Sequence, residues 1–314
     1  MILFIIKRVL AGFALLFGVS TATFALVYSG GGDIAGQLLG GDAGPEAVAA
    51  KARQLGLDQP LMAQYWHWLT HAITGDLGVS WYSSQPVLPT ILQRLSVTLS
   101  IVVVALLVVT LASVTIGIVA ALRRGWIDRV LQTASVIGLA LPSFWVGLVL
   151  VIVFAISLRW VPATGFVPFQ ESPARWFASI VLPVVALGLA AASATAQQVR
   201  SAVIGVLEQD YVRTLRARGL SGTRVLWGHV LRNAAPPGLT VLSLQFISMV
   251  GGAVIIERIF AINGMGSLAV DSTLKNDIPV VVGVMVVMTV VVVLINLAID
   301  IVNGFINPKA TVAS

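Results

Sequence analysis

The 314-residue chain contains no cysteine. Disulfides, thiolate nucleophiles and cysteine-based metal sites are therefore excluded. Charge is scarce too: 10% of residues are Asp, Glu, Lys or Arg, against roughly 25% in a soluble domain. With 58% hydrophobic residues and a mean hydropathy of +0.97, the composition is that of a membrane-integral protein. Lysine occurs at Lys7, Lys51, Lys275 and Lys309 and never follows a glycine. The phosphate-cradling motif G-x-x-x-x-G-K-[ST] is therefore missing, and the chain does not hydrolyse nucleotide itself. No Ser/His/Asp set or pair of carboxylates in a pocket emerges, so no catalytic residue is nominated.

Long apolar runs are abundant. Lys7 and Arg8 precede an apolar stretch from Val9 to Tyr28. A cleaved signal peptide competes for this stretch, but its apolar part is longer than the usual ~7–15 residues. No small-x-small cleavage site precedes Ser29. About 20 residues cross a bilayer core, so the stretch reads as an uncleaved first span with its basic end inside. Ser96–Leu122, Val130–Leu158, Phe177–Val199, Gly238–Ile256 and Pro279–Ile299 supply five more. Pro142 should kink or divide the third, and Pro183 lies inside the fourth. The fold class is thus an all-α polytopic membrane protein with six transmembrane helices.

Between the first two spans lies the longest polar segment, residues 30–94. Pro45 suits the first turn of a helix running to about Leu55. Asp58, followed by Pro60, suggests an N-cap for a second helix, Leu61–Ile73, whose Tyr65, Trp66 and Trp68 fit the headgroup level. The expected organisation is an N-terminal span (1–28), a helical extracytoplasmic segment (29–95), a five-helix core (96–303) and a cytoplasmic tail (304–314).

Six spans place both termini on one side. Twelve bases fall there: Lys7, Arg8, Arg123, Arg124, Arg129, Arg200, Arg213, Arg216, Arg218, Arg224, Arg232 and Lys309; seven fall opposite. The richer side is cytoplasmic by the positive-inside rule. The net charge of +6 is explained in this way, without nucleic acid: the bases form neither a long run nor a face interleaved with aromatics. The spans themselves carry essentially no ionisable side chain between their ends, which weighs against proton- or ion-coupled carriers. Gln197, Gln198, Gln245 and Asn296 either hydrogen-bond between helices or line a wet pathway. Energy for uphill movement must come from a cytoplasmic partner.

One cytoplasmic connection is more elaborate than topology requires. Residues 200–237 hold six arginines against Glu208 and Asp210. Gly219 offers a left-handed position to end one short helix, and Ser221 an N-cap to start another. Tyr211, Val212 and Leu215 give the first an apolar side; Val225, Leu226 and Val230 do so for the second. An ordinary positive anchor needs the charge but neither the elbow nor the apolar faces. Two further features are weaker. His67 and His71 share a helix face at a metal-binding spacing but lack an evident third ligand, so no metal site is assigned. Glu257 and Arg258, expected just outside the fifth span, either gate the external mouth or cap the span and pair locally.

The stretch DYVRTLRARGLSGTRVLWGHVLRNAAPP resembles the cytoplasmic loop of ABC importer permeases of the dipeptide/oligopeptide class. Gly219 corresponds to the glycine of that family's "EAA" loop, and Arg213, Thr214, Arg216, Ala217 and Arg218 fit its peptide-class form; Leu215 stands where alanine is usual. LGLDQPLMAQYWHWLTHAITGDLGVSW, LPSFWVG and GGAVIIERIFAINGMG resemble further family segments in the right order. Gly31-Gly32-Asp33-Ile34 replaces the usual P-G-D-P. The resemblance implies a type I ABC importer permease fold in the bacterial inner membrane. It implies a second homologous permease, two cytoplasmic ABC ATPases that use ATP and Mg, and an external substrate-binding protein. This chain itself would carry no cofactor. The ATPase-coupling residues it implies are Asp210, Tyr211, Arg213, Thr214, Leu215, Arg216, Ala217, Arg218, Gly219, Leu226, His229, Arg232 and Asn233. Apolar burial of Tyr211, Leu215 and Leu226 in the ATPase is expected to dominate docking. Relatives carry dipeptides, longer peptides, glutathione, nickel chelates and some sugars, with selectivity set largely by the binding protein. The rival readings are a stand-alone channel or facilitator with a regulatory loop, and a non-transporting scaffold.

Overall fold

The computed structural model describes residues 2–29, 34–40, 43–123 and 125–306. Gly31, Gly32, Asp33, Asp42, Arg124 and Lys309 lie outside the described residues. The architecture is helical, with one isolated bridge between Val79 and Pro86. In chain order come α1 (Ile2–Ser29), α2 (Ile34–Leu39), α3 (Pro45–Gln54), α4 (Leu61–Ile73), α5 (Val87–Leu122), α6 (Trp126–Ala140) and α7 (Ser143–Leu150). A π-helical segment, Val151–Ser157, extends α7. Next are α8 (Pro173–Leu207), α9 (Asp210–Ala217), α10 (Gly222–Val225), α11 (Leu231–Ile259), α12 (Met265–Leu274) and α13 (Ile278–Ile306).

Among the described residues, five helical stretches are long and apolar enough to cross a membrane, and a bent pair supplies a sixth if counted as one span. Pro142 divides that pair. Leu141, forced out of helical geometry by the proline that follows, is extended (φ −82°, ψ 120°). The helices on either side meet at 98°. By contrast, α8 runs through Pro183 and α11 through Pro236 and Pro237. The helix that carries the apolar run from Gly238 begins earlier than that run, since α11 already includes Leu231–Pro237.

The chain divides into two compact units. One comprises Lys7–Ser96 and Gly264–Val293. In it the polar segment does not stand apart, since α4 turns its aromatic face onto α1. Tyr65 is 5% exposed; its hydroxyl receives a hydrogen bond from Thr21 at 2.9 Å and shares another with Ser20 at 2.9 Å. Its ring meets Phe24 edge-on at 5.2 Å. The expected interfacial trio is thus reduced: Tyr65 is core, Trp68 is half-buried against it, and Trp66 remains 63% exposed. Asp58 is not the cap of α4, a position held by Pro60 without a side-chain bond. The same unit buries Asp277 at the head of α13. Its carboxylate accepts from Ser80 Oγ at 2.5 Å and from the Trp81 N–H at 3.1 Å, tying the loop before α5 to α13.

The other unit is built on Val97–Asn263 with the chain ends. Here α8 is the hub. More than half of its apolar stretch is buried, against a third or less in the other long spans, and it packs on α6, α7 and α11. Ser172 caps it, accepting from the Arg175 N–H, and Pro173 opens its first turn. Glu257 was expected outside the fifth span. It is instead 1% exposed within α11, where Thr98 Oγ1 donates to its Oε1 at 2.5 Å. The helix runs to Ile259, and that extension draws Glu257 inside. The spans are therefore not free of buried ionisable groups.

Asp277→Ala leaves the Ser80 hydroxyl and the Trp81 N–H without their carboxylate. Hydrogen bonds to a charged group contribute about 1.5–3 kcal/mol each, so the variant should unfold at a clearly lower temperature in detergent. Asp277→Asn, which keeps an acceptor, should lose less. Equal melting of wild type and Asp277→Ala would show that the network adds nothing.

Candidate functional site

The elbow of residues 200–237 is assembled from backbone rules that its residues meet one by one. Gln209 breaks the helix after α8, and α9 runs eight residues from Asp210. It ends in a Schellman closure, the Gly219 N–H bonding to the Arg216 carbonyl and the Leu220 N–H to that of Leu215. This closure needs a left-handed residue, and Gly219 has φ +82°. A Cβ there would meet nothing within 4 Å, so the demand for glycine is conformational rather than steric. Ser221 caps α10, its Oγ accepting from the Arg224 N–H at 3.4 Å. The second arm is not a separate short helix. A π-helical turn, Leu226–Val230, joins α10 to α11, making one helical stretch from Gly222 to Ile259.

The elbow is seated on its own chain. Val212 of α9, Val225 of α10 and Val230 of the π turn are 0–1% exposed. They form one cluster with Ala121 of α5, Val203 of α8 and Ala234 of α11. Leu215 and Leu226 pack on this cluster, half-buried. Part of the apolar surface of both side chains is thus spent on holding the elbow to α8 and α11, and the remainder stays open. Tyr211 differs: it is 39% exposed, and its hydroxyl accepts from Asn233 Nδ2 at 3.2 Å, closing α9 against the start of α11. Asn233 also donates to the His229 carbonyl at 2.9 Å.

The remaining named residues fall on the open side. Asp210, Arg213, Thr214, Arg216, Ala217, Arg218, Arg232 and Asn233 are exposed, and His229 is half-buried. Arg213 lies 3.5 Å from Asp210 in a solvated pair that adds little. Sequence reasoning missed Trp227, which is 66% exposed on the same stretch. Its signal was a large aromatic inside the basic 200–237 stretch. Arg200, grouped with the loop arginines from the sequence, belongs to α8 and forms a two-pronged pair with Asp128 of α6 at 2.6 and 2.7 Å. Asp128, an acid following a basic cluster, carries no local sign of this pairing.

Elsewhere, the His67 and His71 rings stand 4.4 Å apart. No group of three His, Cys, Asp or Glu side chains suited to a metal occurs among the described residues. Gln197, Gln198, Gln245 and Asn296 are all half-buried.

Several apolar spans, one of them broken at a proline, and a folded basic elbow between two others define a multi-pass membrane component built around a structured joint. The chain belongs to the family of binding-protein-dependent transport system inner membrane components: that family's model matches residues 113–312, and the model of its N-terminal region matches residues 1–102. It is thus a non-catalytic inner-membrane permease that works with partner subunits, in a family without cofactors. A protein of Brucella abortus (strain 2308), bearing the name of a peptide transport system permease protein, is 39% identical over 306 residues, 97% of this chain and 98% of its own. The glutathione transport system permease proteins of Salmonella typhi and Escherichia coli O6:H1 are each 37% identical over 309 residues, 98% of both chains.

Replacing Gly219 by valine puts a β-branched residue at a positive φ, at a cost of about 1–3 kcal/mol in strain. Asparagine tolerates that region better and should be milder. The expected result is protease cutting near residue 219 in the valine variant, with the asparagine variant close to wild type. Equal resistance of all three would show that the left-handed elbow does not hold the joint.

Proposed function

We propose that the chain is the membrane-spanning subunit of an ATP-driven importer of di- or oligopeptides, glutathione included, and that residues 200–237 couple it to cytoplasmic ATPases. The observation that carries this reading is the division of labour within the elbow. One side is buried in the chain's own core, while the other presents Tyr211, Trp227 and a set of arginines. A regulatory or purely topological loop has no need to be fixed so firmly to α8 and α11. A joint that receives force must be.

The expected assembly is this chain with a second homologous permease, two ABC ATPases holding ATP and Mg, and an external binding protein. Closure of the ATPase pair on ATP would move the elbow as a rigid body and switch the spans between inward- and outward-open arrangements. The peptide and glutathione relatives support the substrate class. The exposed arginines, each worth at most about 1 kcal/mol in a solvated pair, would steer and orient docking. The exposed aromatics would supply most of its free energy.

The test is co-expression with a second permease and two ATPases. Tyr211→Ala combined with Trp227→Ala should weaken ATPase association about tenfold or more; the buried valine cluster stays intact, and Asn233→Ala, which removes the bond to Tyr211 but keeps both aromatics, should weaken it far less. Uptake of a labelled tripeptide or of glutathione into vesicles should stop when ATP is withdrawn. Uptake that continues without ATP, by this chain alone, would replace the proposal with a facilitator.

A further inference from the structure

Arg200 raises a question that the elbow does not answer. Its Nε donates to Asp128 Oδ1 at 2.7 Å and its Nη2 to Oδ2 at 2.6 Å. The two side chains are only 24% and 16% exposed. Gln132, one turn further along α6, completes the arrangement: with its amide oriented to satisfy its neighbours, its oxygen accepts from Arg200 Nε at 2.8 Å and Nη1 at 2.9 Å. A planar fork held by a carboxylate and an amide fixes direction as well as distance. A topological anchor requires only charge near the membrane surface.

The placement of this fork matters because α6 is the first half of the broken span. Near its other end, Gly138 lies so close to Ser193 of α8 that a Cβ would have no room. Thus α6 is fastened to α8 at two places, by the fork at Asp128 and by close approach at Gly138. Arg200 lies three residues before Val203, which forms part of the elbow's buried seat. Beyond Gly138, α6 ends at Leu141 and Pro142, where the chain turns by 98°. A continuous path runs from the elbow through the end of α8 and across the fork into α6 and the bend.

We propose that Asp128 and Arg200 are positioning residues that bind the broken span to the elbow, so that α6 and the elbow travel as one body during transport. This rests on the coupling role proposed above. The functional consequence is specific: without the fork, the elbow still docks and moves, but the Asp128 end of α6 no longer follows it rigidly, while the Gly138 end stays packed on α8. Pairs of this kind connect sites because they have one strongly preferred arrangement that both partners must share.

This chain lacks cysteine, so introduced thiols are unique within it, and partner subunits cleared of reactive cysteine complete the assembly. Trp126→Cys on α6 and Thr223→Cys on α10, both exposed, accept a pair of spin labels in the full complex with the second permease and ATPases. In the wild-type background the distance between labels should be the same without nucleotide and after trapping with ATP, Mg and vanadate. With Asp128→Asn, trapping should change that distance by several ångström, up to about one helical turn. Arg200→Lys, which keeps charge but not the fork, should behave similarly, and the exchange D128R with R200D should restore the constant distance. A pair serving only stability would lower the yield of complex and leave the trapped distance unchanged; that result overturns the proposal. So does failure of the single variants to assemble together with failure of the exchange to rescue them. If the wild-type chain does not hold the ATPases through its elbow, the coupling reading fails instead, and co-purification with the Tyr211/Trp227 double variant detects that separately.

Discussion

The joint between α8 and α11 depends on burying Val212 and Val225, two valines in a stretch otherwise rich in arginine. Water is the alternative environment for these side chains, so their burial gains the full hydrophobic effect, about 1.5 kcal/mol or more apiece. The apolar residues of the spans gain little in this way, since lipid already surrounds them in the unassembled state. The strongest ordering force in the cytoplasmic connection is therefore concentrated where α9 and α10 meet Val203 and Ala234. Hydrogen bonds trim the result. The Schellman closure at Gly219 and the Tyr211–Asn233 bond set the angle between arms that the valines hold together.

Within the bilayer the governing constraint is different. Backbone groups must be satisfied internally, which makes helices obligatory and confines irregular geometry to places with other partners. The chain observes this at each proline. Pro183, Pro236 and Pro237 are absorbed within helices, whereas Pro142 breaks one. Polar side chains follow the same logic. Glu257 is joined by Thr98, Asp277 by Ser80 and the Trp81 N–H, and Tyr65 by Ser20 and Thr21. Each of these contacts links segments far apart in the chain, so each fixes tertiary structure at a point where leaving a group unpaired would be costly.

These contrasts explain what was legible in the sequence. Helices over the long apolar runs, the α4 helix, the left-handed Gly219 and the Ser221 cap all follow from local rules, and each is present in the fold. Helix ends were less legible. α5 begins at Val87 rather than Ser96, and α11 takes in Leu231–Pro237, because helical hydrogen bonding continues past the apolar window that marks a span. Partners distant in sequence were not legible. Nothing local distinguishes Arg200 from the arginines that follow it, and Asp128 lies 72 positions away. The packing of Leu215 on the chain's own cluster was not legible for a related reason. An apolar residue on an amphipathic helix announces that something will cover it, without saying how much of that cover is the chain itself.

The two arms of the elbow differ in how they pass on a load. The second arm is continuous with α11, so force along it enters the span directly, through the π turn at Leu226–Val230 and then the Pro236-Pro237 pair. Both features loosen the regular i→i−4 ladder, one by widening it and the other by removing donors. The first arm is separated from α8 by the break at Gln209 and reaches it through side-chain packing on Val203. In the coupling role proposed above, a push on the elbow would be delivered along α11 by a compliant helix and across to α8 by a close-packed contact. Close-packed interiors have low compressibility and transmit strain, so α8 would be displaced, whereas α11 would bend at its π turn and prolines. Since α6, α7 and α11 all pack on α8, a displacement there would bear on each of them.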